Sequence, residues 1–484
     1  MVITMSVRPS EVTTAQPETD RGELRSLLDT QRQAFYRQPM PSRKDRIDRL
    51  DRLHRALVDH KEKLIEAIDA DFGGRSRLET EFAEILMPMQ NIRYLKRHLR
   101  RWMKPERRHV GWLMAPASAR IYYNPLGVVG IVSPWNVPLF LAVQPLSYAL
   151  AAGNRVLLKL SEITPHTSAA TRLMLEQAFA ADEVAVVTGG VETARQFVSL
   201  PFDHLLFTGS TDVGREVMRA AAENLTPVTL ELGGKSPTII GPDADLEVAA
   251  ERICFGKSMN AGQLCLAPDY VYCPKSQVDR FAAAVRKHSA RMYPYLDGNP
   301  DHTCIINARH KERLDALLSD ATAKGARVDV INPGNELLDD RRMPLTLVFD
   351  VSDEMEIMRQ EIFGPLLPVL AYEDLEQVIS DINRRPRPLA LYIFDRNRKT
   401  VRRVLEQTQS GGACINDTIF HIGIHDLPFG GIGNSGMGAY HGREGFLTFS
   451  HAKSVFSRPW LNSARLVYPP RRRIVDWLLK LLLR

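Results

Sequence analysis

The stretch Phe207-Thr-Gly209-Ser210-Thr-Asp-Val-Gly214 decides the fold, because a strand-like apolar run leads directly into a helical pattern there. Glycines permit a close approach of the backbone, and the first N–H groups of a helix have no partner within it. Such a helix N-terminus binds the pyrophosphate of a dinucleotide. The stretch predicts a strand–helix unit with Phe207, Gly209, Ser210 and Gly214 beside a cofactor. A plain strand–helix connection without a ligand is the alternative.

The surrounding sequence, from Gly127 to Leu232, alternates between short apolar runs and longer helical patterns. The strand-like runs are 128–132, 155–160, 184–187, 204–207 and 228–232. Apolar strands that alternate with helices form a parallel sheet covered on both faces, and its ligands bind beyond the carboxyl ends of the strands. This region therefore predicts a doubly wound, Rossmann-like parallel-sheet cofactor domain of the α/β class.

The rest of the chain predicts further units. Its 484 residues exceed what one hydrophobic core supports, so two large domains are expected. Two isolated strand-like segments, 119–123 and 448–456, are expected to pair with each other or with a partner subunit. The expected units are a disordered arm (1–20), a cofactor-binding domain with N-terminal helices (21–118 and 124–232), a second α/β, catalytic domain (233–412), a small β bridging or oligomerisation element (119–123 and 413–458) and a tail with an amphipathic helix (459–484).

Composition and charge exclude several classes of protein. The net charge is +6 with 25% charged residues, and no nucleic-acid-binding module is recognisable. The five cysteines include no CxxC pair, which argues against a disulfide framework and a zinc site and favours a reducing compartment. The N-terminal segment lacks the apolar core of a signal peptide. We therefore expect a cytoplasmic protein that binds neither nucleic acid nor a metal.

A second glycine pattern competes for the cofactor. The segment Gly431-Ile-Gly433-Asn-Ser-Gly436 matches the dinucleotide fingerprint letter for letter. However, it follows a Pro-Phe-Gly-Gly turn, and no strand–helix–strand unit surrounds it, which the fingerprint requires. We interpret this segment as a structural loop.

Two glutamates compete for the ribose of the cofactor. The acid of a dinucleotide-binding unit stands about twenty residues after the glycines, which is where Glu231 lies. Glu231, however, precedes the glycine pair Gly233-Gly234 at a domain junction, a place suited to acid–base work in a cleft. Glu162, which follows the strand that ends near Lys159, is the better candidate for the ribose.

Cys265 follows a break after a helix, in Asn260-Ala-Gly262-Gln263-Leu-Cys265. A free cysteine is most often a buried, inert thiol. Taken alone, Cys265 is no better a nucleophile than the other four cysteines.

Six motifs together resemble the aldehyde dehydrogenase superfamily, from about residue 25 to 458. They are Pro134-Trp135-Asn136, Lys159-Leu-Ser-Glu162, Phe207-Thr-Gly209-Ser210, Glu231-Leu-Gly-Gly-Lys-Ser-Pro237, Gly262-Gln263-Leu-Cys265 and Glu361-Ile-Phe363-Gly-Pro365. They follow the family's order, with its spacing of 34 residues between Glu231 and Cys265. The chain looks like the branch of class 3, fatty and coniferyl aldehyde dehydrogenases, and most like the coniferyl type.

The resemblance implies oxidation of an aldehyde to a carboxylic acid through a thiohemiacetal and a thioester on Cys265. It implies that the amide of Asn136 and the N–H of Cys265 hold the oxyanion, and that Glu231 activates the hydrolytic water. An aromatic or α,β-unsaturated aldehyde such as coniferaldehyde is the expected substrate. The alternative is a medium- or long-chain fatty aldehyde dehydrogenase that associates with membrane through its C-terminal helix.

The resemblance also implies the cofactor contacts and the assembly. By this resemblance, Lys159 and Glu162 contact the adenosine ribose, and Trp135 and Ser210 lie near the pyrophosphate. Glu361, with Phe363 packed beside it, contacts the nicotinamide ribose. A glutamate at position 162 repels a 2′-phosphate, which favours NAD, although relatives in this branch often use NADP as well. A homodimer is the branch's usual assembly.

Two residues depart from the family's pattern. Leu160 replaces a common proline after Lys159, which we expect to loosen that strand end. Leu264 is bulkier than the residue common before the nucleophile, and we expect it to narrow the substrate tunnel.

The C-terminal tail predicts a helix with a narrow polar stripe. Asp476, Lys480 and Arg484 lie four residues apart, and the residues between them are apolar. Fourteen helical residues reach about 21 Å, which is too short to span a membrane. The tail is expected to dock on this subunit or its partner, with a peripheral membrane contact through 471–484 or a place at the substrate entrance as alternatives.

Overall fold

The computed structural model describes residues 18–338, 341–460, 465, 468–470 and 473–483. The predicted arm lies largely outside these residues, but residues 19 and 20 contact the rest of the chain, so the boundary at 20 is wrong. Thr19 is buried and its N–H donates to the Thr188 carbonyl over 3.2 Å. Asp20 caps the first helix by accepting the Glu23 N–H. Thr19 and Asp20 therefore belong with the first helix rather than with the predicted arm.

An N-terminal group of helices precedes the first sheet. Between the fourth and fifth helices of this group, Thr80–Leu86 forms a π-helix. Such widened helical turns are frequent at functional sites. The helices are α1 (Arg21–Arg37), α2 (Arg43–Asp59), α3 (Lys61–Phe72), α4 (Arg77–Glu79) and α5 (Met87–Trp102).

A six-stranded sheet carries the predicted cofactor domain. Its strands are β3 (Val128–Val132), β4 (Arg155–Lys159), β5 (Val184–Val187), β6 (His204–Gly209), β7 (Val228–Leu232) and β15 (Gly436–Met437), in the spatial order β15-β7-β6-β3-β4-β5. The first five are parallel and β15 is antiparallel. The helices between them are α6 (Pro138–Ala152), α7 (Pro165–Ala178), α8 (Val191–Val198) and α9 (Thr211–Ala222). The doubly wound prediction is confirmed.

The order of these strands reverses between β3 and β6. The chain runs from β3 outward to β5 and then returns to the other side of β3 as β6 and β7. Ligands of doubly wound sheets bind beyond the carboxyl ends of the strands at this switch point. Trp135 and Asn136 follow β3, and Ser210 follows β6, so both sides of the switch point carry predicted site residues.

A seven-stranded sheet forms the second α/β unit. Its strands, in spatial order, are β10 (Arg327–Val330), β11 (Thr346–Phe349), β12 (Leu366–Tyr372), β9 (Tyr270–Pro274), β8 (Pro237–Ile240), β13 (Ala390–Phe394) and β14 (Gly412–Ile415). All neighbours are parallel except β10, which is antiparallel to β11. Its helices are α10 (Leu246–Ser258), α11 (Val278–Met292), α12 (Ala308–Ala323), α13 (Glu356–Arg359), α14 (Leu375–Arg384) and α15 (Arg398–Gln407).

A three-stranded antiparallel sheet joins distant parts of the chain. It consists of β1 (Glu106–Arg108), β2 (Ser118–Pro125) and β16 (Ser450–Ser457), and α16 (Gly442–Thr448) precedes β16. β2 pairs with β16 over eight residues, so the two segments predicted to pair with each other do so.

The structure differs from the expected units at three strands. β14 begins at Gly412 and pairs with β13, so residues 413–415 belong to the seven-stranded sheet and not to the bridging element. β15 joins the six-stranded sheet, although 413–458 was assigned to the bridging element. β1 lies in the three-stranded sheet rather than the cofactor domain. All three are short strands whose sheet is chosen by pairing with distant residues, which local sequence does not reveal.

The tail forms helix α17 (Arg473–Leu482), as predicted. Ile474, Trp477 and Leu481 lie on one side of this helix and are 59%, 61% and 59% exposed. Arg471, Arg472 and Arg484 lie outside the described residues. None of the helices in the described part of the chain combines the length and the apolarity that crossing a bilayer requires.

Candidate active site

The segment before Cys265 has an unusual backbone. Asn260, Ala261 and Gly262 follow one another with φ of 52°, 51° and 71°. This left-handed region is costly for residues other than glycine and is found where surrounding contacts enforce it. At Gly262 a side chain would also clash, because a Cβ would lie 2.4 Å from the Gly364 carbonyl oxygen. The kinked segment turns the chain so that Cys265 enters a cleft.

Two cavities meet at Cys265. One has a volume of about 210 Å³ and the other about 310 Å³, and both are lined by Asn136, Leu141 and Cys265. The smaller one extends to the switch point of the six-stranded sheet, where Gly209 and Ser210 line it. Among the described residues, no other cysteine lines either cavity. This geometry distinguishes Cys265 from the other four.

The surroundings of the Cys265 thiol favour its neutral form. Burial raises its pKa, and the negative charges of Glu361 and Glu231 raise it further. The nearby backbone N–H groups of Cys265 and Leu266 oppose this and lower the pKa in part. A thiolate nucleophile therefore needs a base, and the two N–H groups already face the position where negative charge forms.

The side chain of Asn136 is held against the loop of Cys265. Its Nδ2 donates to the carbonyl oxygen of Gln263 over 3.0 Å. An amide nitrogen carries two protons, so a second N–H remains for an acceptor in the cavity. The arrangement suits an oxyanion hole.

Glu231 is the penultimate residue of β7 and lies in the smaller cavity beside Cys265. It is 3% exposed, and neither carboxylate oxygen has a hydrogen-bond partner among the residues that the structure describes. Burial raises its pKa well above the ordinary value. A buried, unpaired carboxylate facing a cavity is suited to proton transfer with water or a thiol.

The junction of β6 and α9 has the form that a pyrophosphate requires. Ser210 caps α9 by accepting the Val213 N–H over 3.4 Å. A Cβ at Gly209 would lie 2.5 Å from Cζ of Phe207, and one at Gly214 would lie 2.6 Å from Cδ2 of Leu232. Phe207 and Gly214 therefore do not line the cavity but permit close packing of the strand, turn and helix.

Lys159 and Glu162 lie outside both cavities. The ammonium of Lys159 donates to the Leu160 carbonyl over 2.8 Å and to Glu162 over 3.3 Å. Burial lowers the pKa of Lys159, and Glu162 partly offsets this. Lys159 is the last residue of β4, the strand next to β3, and Glu162 follows it, at the carboxyl edge where a nucleotide's second half would extend.

Glu361 lies at the junction of the two large sheets. Its carboxylate accepts the Gly234 N–H, and a Cβ at Gly233 would lie 1.9 Å from its Oε2. Burial and the charge of Asp269 raise its pKa to about 8. The ring of Phe363 packs edge-on against Trp135 with centroids 5.4 Å apart. Gly233 therefore leaves the space that the Glu361 carboxylate occupies, which the sequence alone did not reveal.

His310 and Arg313, both on α12, also line the smaller cavity, and the sequence did not predict either. The ring of His310 lies 4.7 Å from that of Trp135, and burial lowers its pKa to about 4. Arg313 donates to the Glu361 carbonyl over 3.3 Å. No local signal marks them, because their helix comes from the second sheet unit and reaches the site through tertiary packing.

The larger cavity is apolar. Leu264, the bulky residue before the nucleophile, lines it, as the predicted narrowing of the tunnel requires. The other lining residues are Phe82, Ala83, Met87, Gln90, Asn136, Val137, Phe140, Leu141, Met259, Cys265, Leu266, Ile419, Phe420, Ile422, Gly423 and Ile424. This chamber suits a hydrophobic substrate whose reactive end reaches Cys265.

The competing loop at 431–436 is structural. Gly436 pairs with Glu231 across β15 and β7, and Ser435 closes a turn by accepting the Ile432 N–H over 2.9 Å. A Cβ at Gly431 would lie 1.9 Å from the Ser435 carbonyl oxygen. Its glycines thus serve a tight turn, in agreement with the interpretation from sequence.

Comparison with known proteins identifies the family. The model of the aldehyde dehydrogenase family matches residues 5–455, so the chain belongs to this family and is an NAD(P)-dependent oxidoreductase of aldehydes. The chain is 52% identical to the "Probable coniferyl aldehyde dehydrogenase" of Pseudomonas aeruginosa, over 94% of this chain and 95% of the relative. It is 45% identical to the coniferyl aldehyde dehydrogenase of a Pseudomonas species, over 95% and 96%. The resemblance seen in the sequence is confirmed.

More distant relatives and solved structures agree. The dimeric NADP-preferring aldehyde dehydrogenase of the dog is 37% identical over 88% of this chain and 93% of its own. The substrate-bound AldH of Staphylococcus aureus superimposes with a TM-score of 0.90 at 35% identity, over 95% of this chain and 99% of its own. The NAD+ complex of a Mycobacterium tuberculosis aldehyde dehydrogenase does so with a TM-score of 0.81 at 30% identity, over 91% of each chain.

Proposed function

We propose that this protein oxidises aromatic or α,β-unsaturated aldehydes such as coniferaldehyde to their acids, through a thioester on Cys265. The observation that carries the proposal is the meeting of the two cavities at this thiol. One cavity has the cradle that a dinucleotide requires, and the other is an apolar chamber that includes Phe140 and Phe420. Relatives named as coniferyl aldehyde dehydrogenases support the choice of substrate.

The first half of the reaction follows from three groups. Glu231 or a water takes the Cys265 proton, and the sulfur attacks the aldehyde carbon to give a thiohemiacetal oxyanion. The N–H of Cys265 and the Nδ2 of Asn136 donate to that oxygen. The nicotinamide, when bound, supplies the acceptor for the hydride that leaves the same carbon. Loss of this hydride leaves a thioester on Cys265.

The second half depends on Glu231. Its carboxylate removes a proton from a water molecule, whose oxygen attacks the thioester carbon. The C–S bond breaks, the acid is released and the thiolate of Cys265 is restored. The oxygens of Glu231 are available for this proton because no side chain in the described part of the chain holds them. The presence of Glu231 argues against transfer of the acyl group to coenzyme A, because that reaction needs no water-activating carboxylate.

Residues of both large units would hold the cofactor. Ser210 and Trp135 would hold the pyrophosphate, Lys159 and Glu162 the adenosine ribose, and Glu361 the nicotinamide ribose. His310 and Arg313 wall the same cavity.

Replacing Glu162 with glutamine tests the preference for NAD. We expect the KM for NADP to fall about fivefold and the KM for NAD to rise about as much, because the change removes repulsion of a 2′-phosphate and weakens a bond to the ribose hydroxyls. Initial rates with each cofactor measure the shift. Glu373→Gln, at an exposed ion pair with Lys275, is the control. Equal KM values before and after the change would contradict the assignment of Glu162.

A substrate panel tests the proposed function. With NAD or NADP, we expect kcat/KM for coniferaldehyde and cinnamaldehyde to exceed that for hexanal and decanal about tenfold, since planar substrates fit an apolar chamber bounded by aromatic rings. Absorbance of the reduced cofactor gives the rates. Absence of turnover with every aldehyde, in protein shown to be folded, would overturn the activity. A tenfold preference for decanal would instead favour the fatty aldehyde alternative.

The homodimeric assembly and the docking site of the C-terminal tail stay predictions. The outer strands β14 and β16 are partly exposed, as at Ile415 (50%) and Phe456 (53%), and leave sheet edges at which a second copy of the chain could pair. The exposed apolar side of α17 is compatible with docking on protein or with a peripheral membrane contact. The fatty aldehyde alternative has no observation of its own in favour of it.

A further inference from the structure

A buried ion pair lies behind the proposed oxyanion residue. The guanidinium of Arg75 is 3.2 Å from Oε1 of Glu84, and the two side chains are 1% and 0% exposed. Arg75 precedes α4, and Glu84 lies in the π-helix. An apolar pair of similar volume would stabilise a fold at least as well as a buried ion pair. The backbone groups that these two charges contact therefore matter more than their mutual attraction.

Both charges hold the chain around Asn136. Arg75 donates through NH1 to the Asn136 carbonyl oxygen over 3.0 Å. Oε2 of Glu84 accepts the N–H groups of Leu139 over 2.8 Å and Phe140 over 3.3 Å. These N–H groups belong to the first turn of α6 and have no partner within the helix. The segment from Asn136 to Phe140 is thus held at three points.

The same carbonyl oxygen also connects Asn136 to the nucleophile loop. Asn260 donates through Nδ2 to the Asn136 carbonyl over 2.9 Å and to the Gln263 carbonyl over 3.2 Å. The Asn136 side chain donates to that Gln263 oxygen as well. The ion pair, the oxyanion amide and the left-handed segment at Asn260 therefore form one continuous polar network.

We propose that Arg75 and Glu84 are positioning residues that hold the Asn136 amide at the oxyanion formed on Cys265. The proposal rests on the function proposed above for Asn136. Neither residue lines either cavity, so their effect on the reaction passes through Asn136. Since a misplacement of about 1 Å can cost about 10² in rate, loss of one of these bonds is expected to lower kcat rather than substrate affinity.

Arg75→Lys is the first test. Lysine keeps the charge, but its single ammonium lacks the planar fork that reaches Glu84 and the Asn136 carbonyl together. We expect kcat to fall about 10- to 100-fold, with the KM for aldehyde and the Kd for NAD within about twofold. Alkylation of Cys265 by iodoacetamide should keep its rate, because the loop itself is intact.

The matched control is Arg49→Lys. Arg49 forms an ion pair with Glu183 over 3.1 Å, its side chain is 4% exposed, and it lines neither cavity. This variant is expected to lose thermal stability much as Arg75→Lys does but to keep its kcat. A similar loss of kcat in both variants would show a merely structural effect and overturn the proposal.

A double mutant tests whether Arg75 acts through Asn136. Asn136→Ala is expected to lower kcat about 10²- to 10³-fold, and adding Arg75→Lys should then change kcat less than about twofold. A full additional loss in the double mutant would overturn positioning through Asn136. An unchanged kcat in Asn136→Ala alone would instead overturn the oxyanion function.

Glu84→Gln tests the other residue of the ion pair. Because glutamine retains an acceptor oxygen, kcat should fall only about fivefold. Wild-type kcat in both Glu84→Gln and Arg75→Lys would overturn the proposal.

Discussion

Cys265→Ala is expected to lower kcat at least about 10⁴-fold, because no other group can form the thioester. The described part of the chain places no second cysteine on either cavity, so none can substitute for it. Absorbance of the reduced cofactor with coniferaldehyde and NAD measures the loss. Binding of NAD, measured by quenching of tryptophan fluorescence, should stay within about twofold, since the cradle at Ser210 is untouched.

Cys254→Ala is the matched control for this prediction. Cys254 lies fully buried on α10, and burial raises its pKa to about 11, so it is a poor nucleophile near neutral pH. We expect its removal to leave kcat within about twofold. Comparable activity in the two alanine variants would contradict the assignment of the nucleophile.

Glu231→Gln is expected to stop the reaction after the first hydride transfer. Glutamine fills the same space but cannot take a proton from water, and general-base assistance contributes about 10²- to 10⁴-fold. A rapid-mixing experiment should show a burst of reduced cofactor of up to one equivalent, followed by a steady state slowed by about that factor. The acyl-enzyme should then be detectable by mass spectrometry as an adduct on Cys265.

The pH dependence gives a second readout of Glu231. Its raised pKa means that the carboxylate required as a base is populated only as the pH rises above the ordinary range of a glutamate. The wild-type hydrolysis rate should therefore increase with pH, and this limb should disappear in Glu231→Gln. Glu223→Gln, at an exposed position after α9, is the control and should keep the wild-type profile. In the rapid-mixing experiment, a missing burst of reduced cofactor in Glu231→Gln would contradict the first prediction and show that Glu231 is needed before hydride transfer.

Much of the fold could be predicted from local pattern. The strands β3, β5 and β7 have the bounds expected from sequence, since buried parallel strands are continuous apolar runs. The bounds of β4 and β6 differ by one or two residues. The short strands β1, β14 and β15 were assigned to other units, because two to four residues carry too little pattern to specify a distant partner.

Fewer residues of the active site could be predicted from local sequence pattern. Sequence motifs named Cys265, Glu231 and Asn136, and the resemblance to a family linked them. His310 and Arg313 carried no signal, and the need for Gly233 became visible only with Glu361 beside it. Phe207 and Gly214 pack within the cradle and do not line the smaller cavity, and their place beside a cofactor stays a prediction.

The sequence by itself determined the doubly wound sheet, the strand–helix junction at Gly209-Ser210 and the reading of 431–436 as a turn, because each depends on residues close together in the chain. Only the tertiary structure decided which of five cysteines stands where two cavities meet, and that Arg75 and Glu84 support Asn136 from behind. These relations join residues tens to hundreds of positions apart. They arise from packing two sheets and a helical layer around one cleft, which no local pattern encodes.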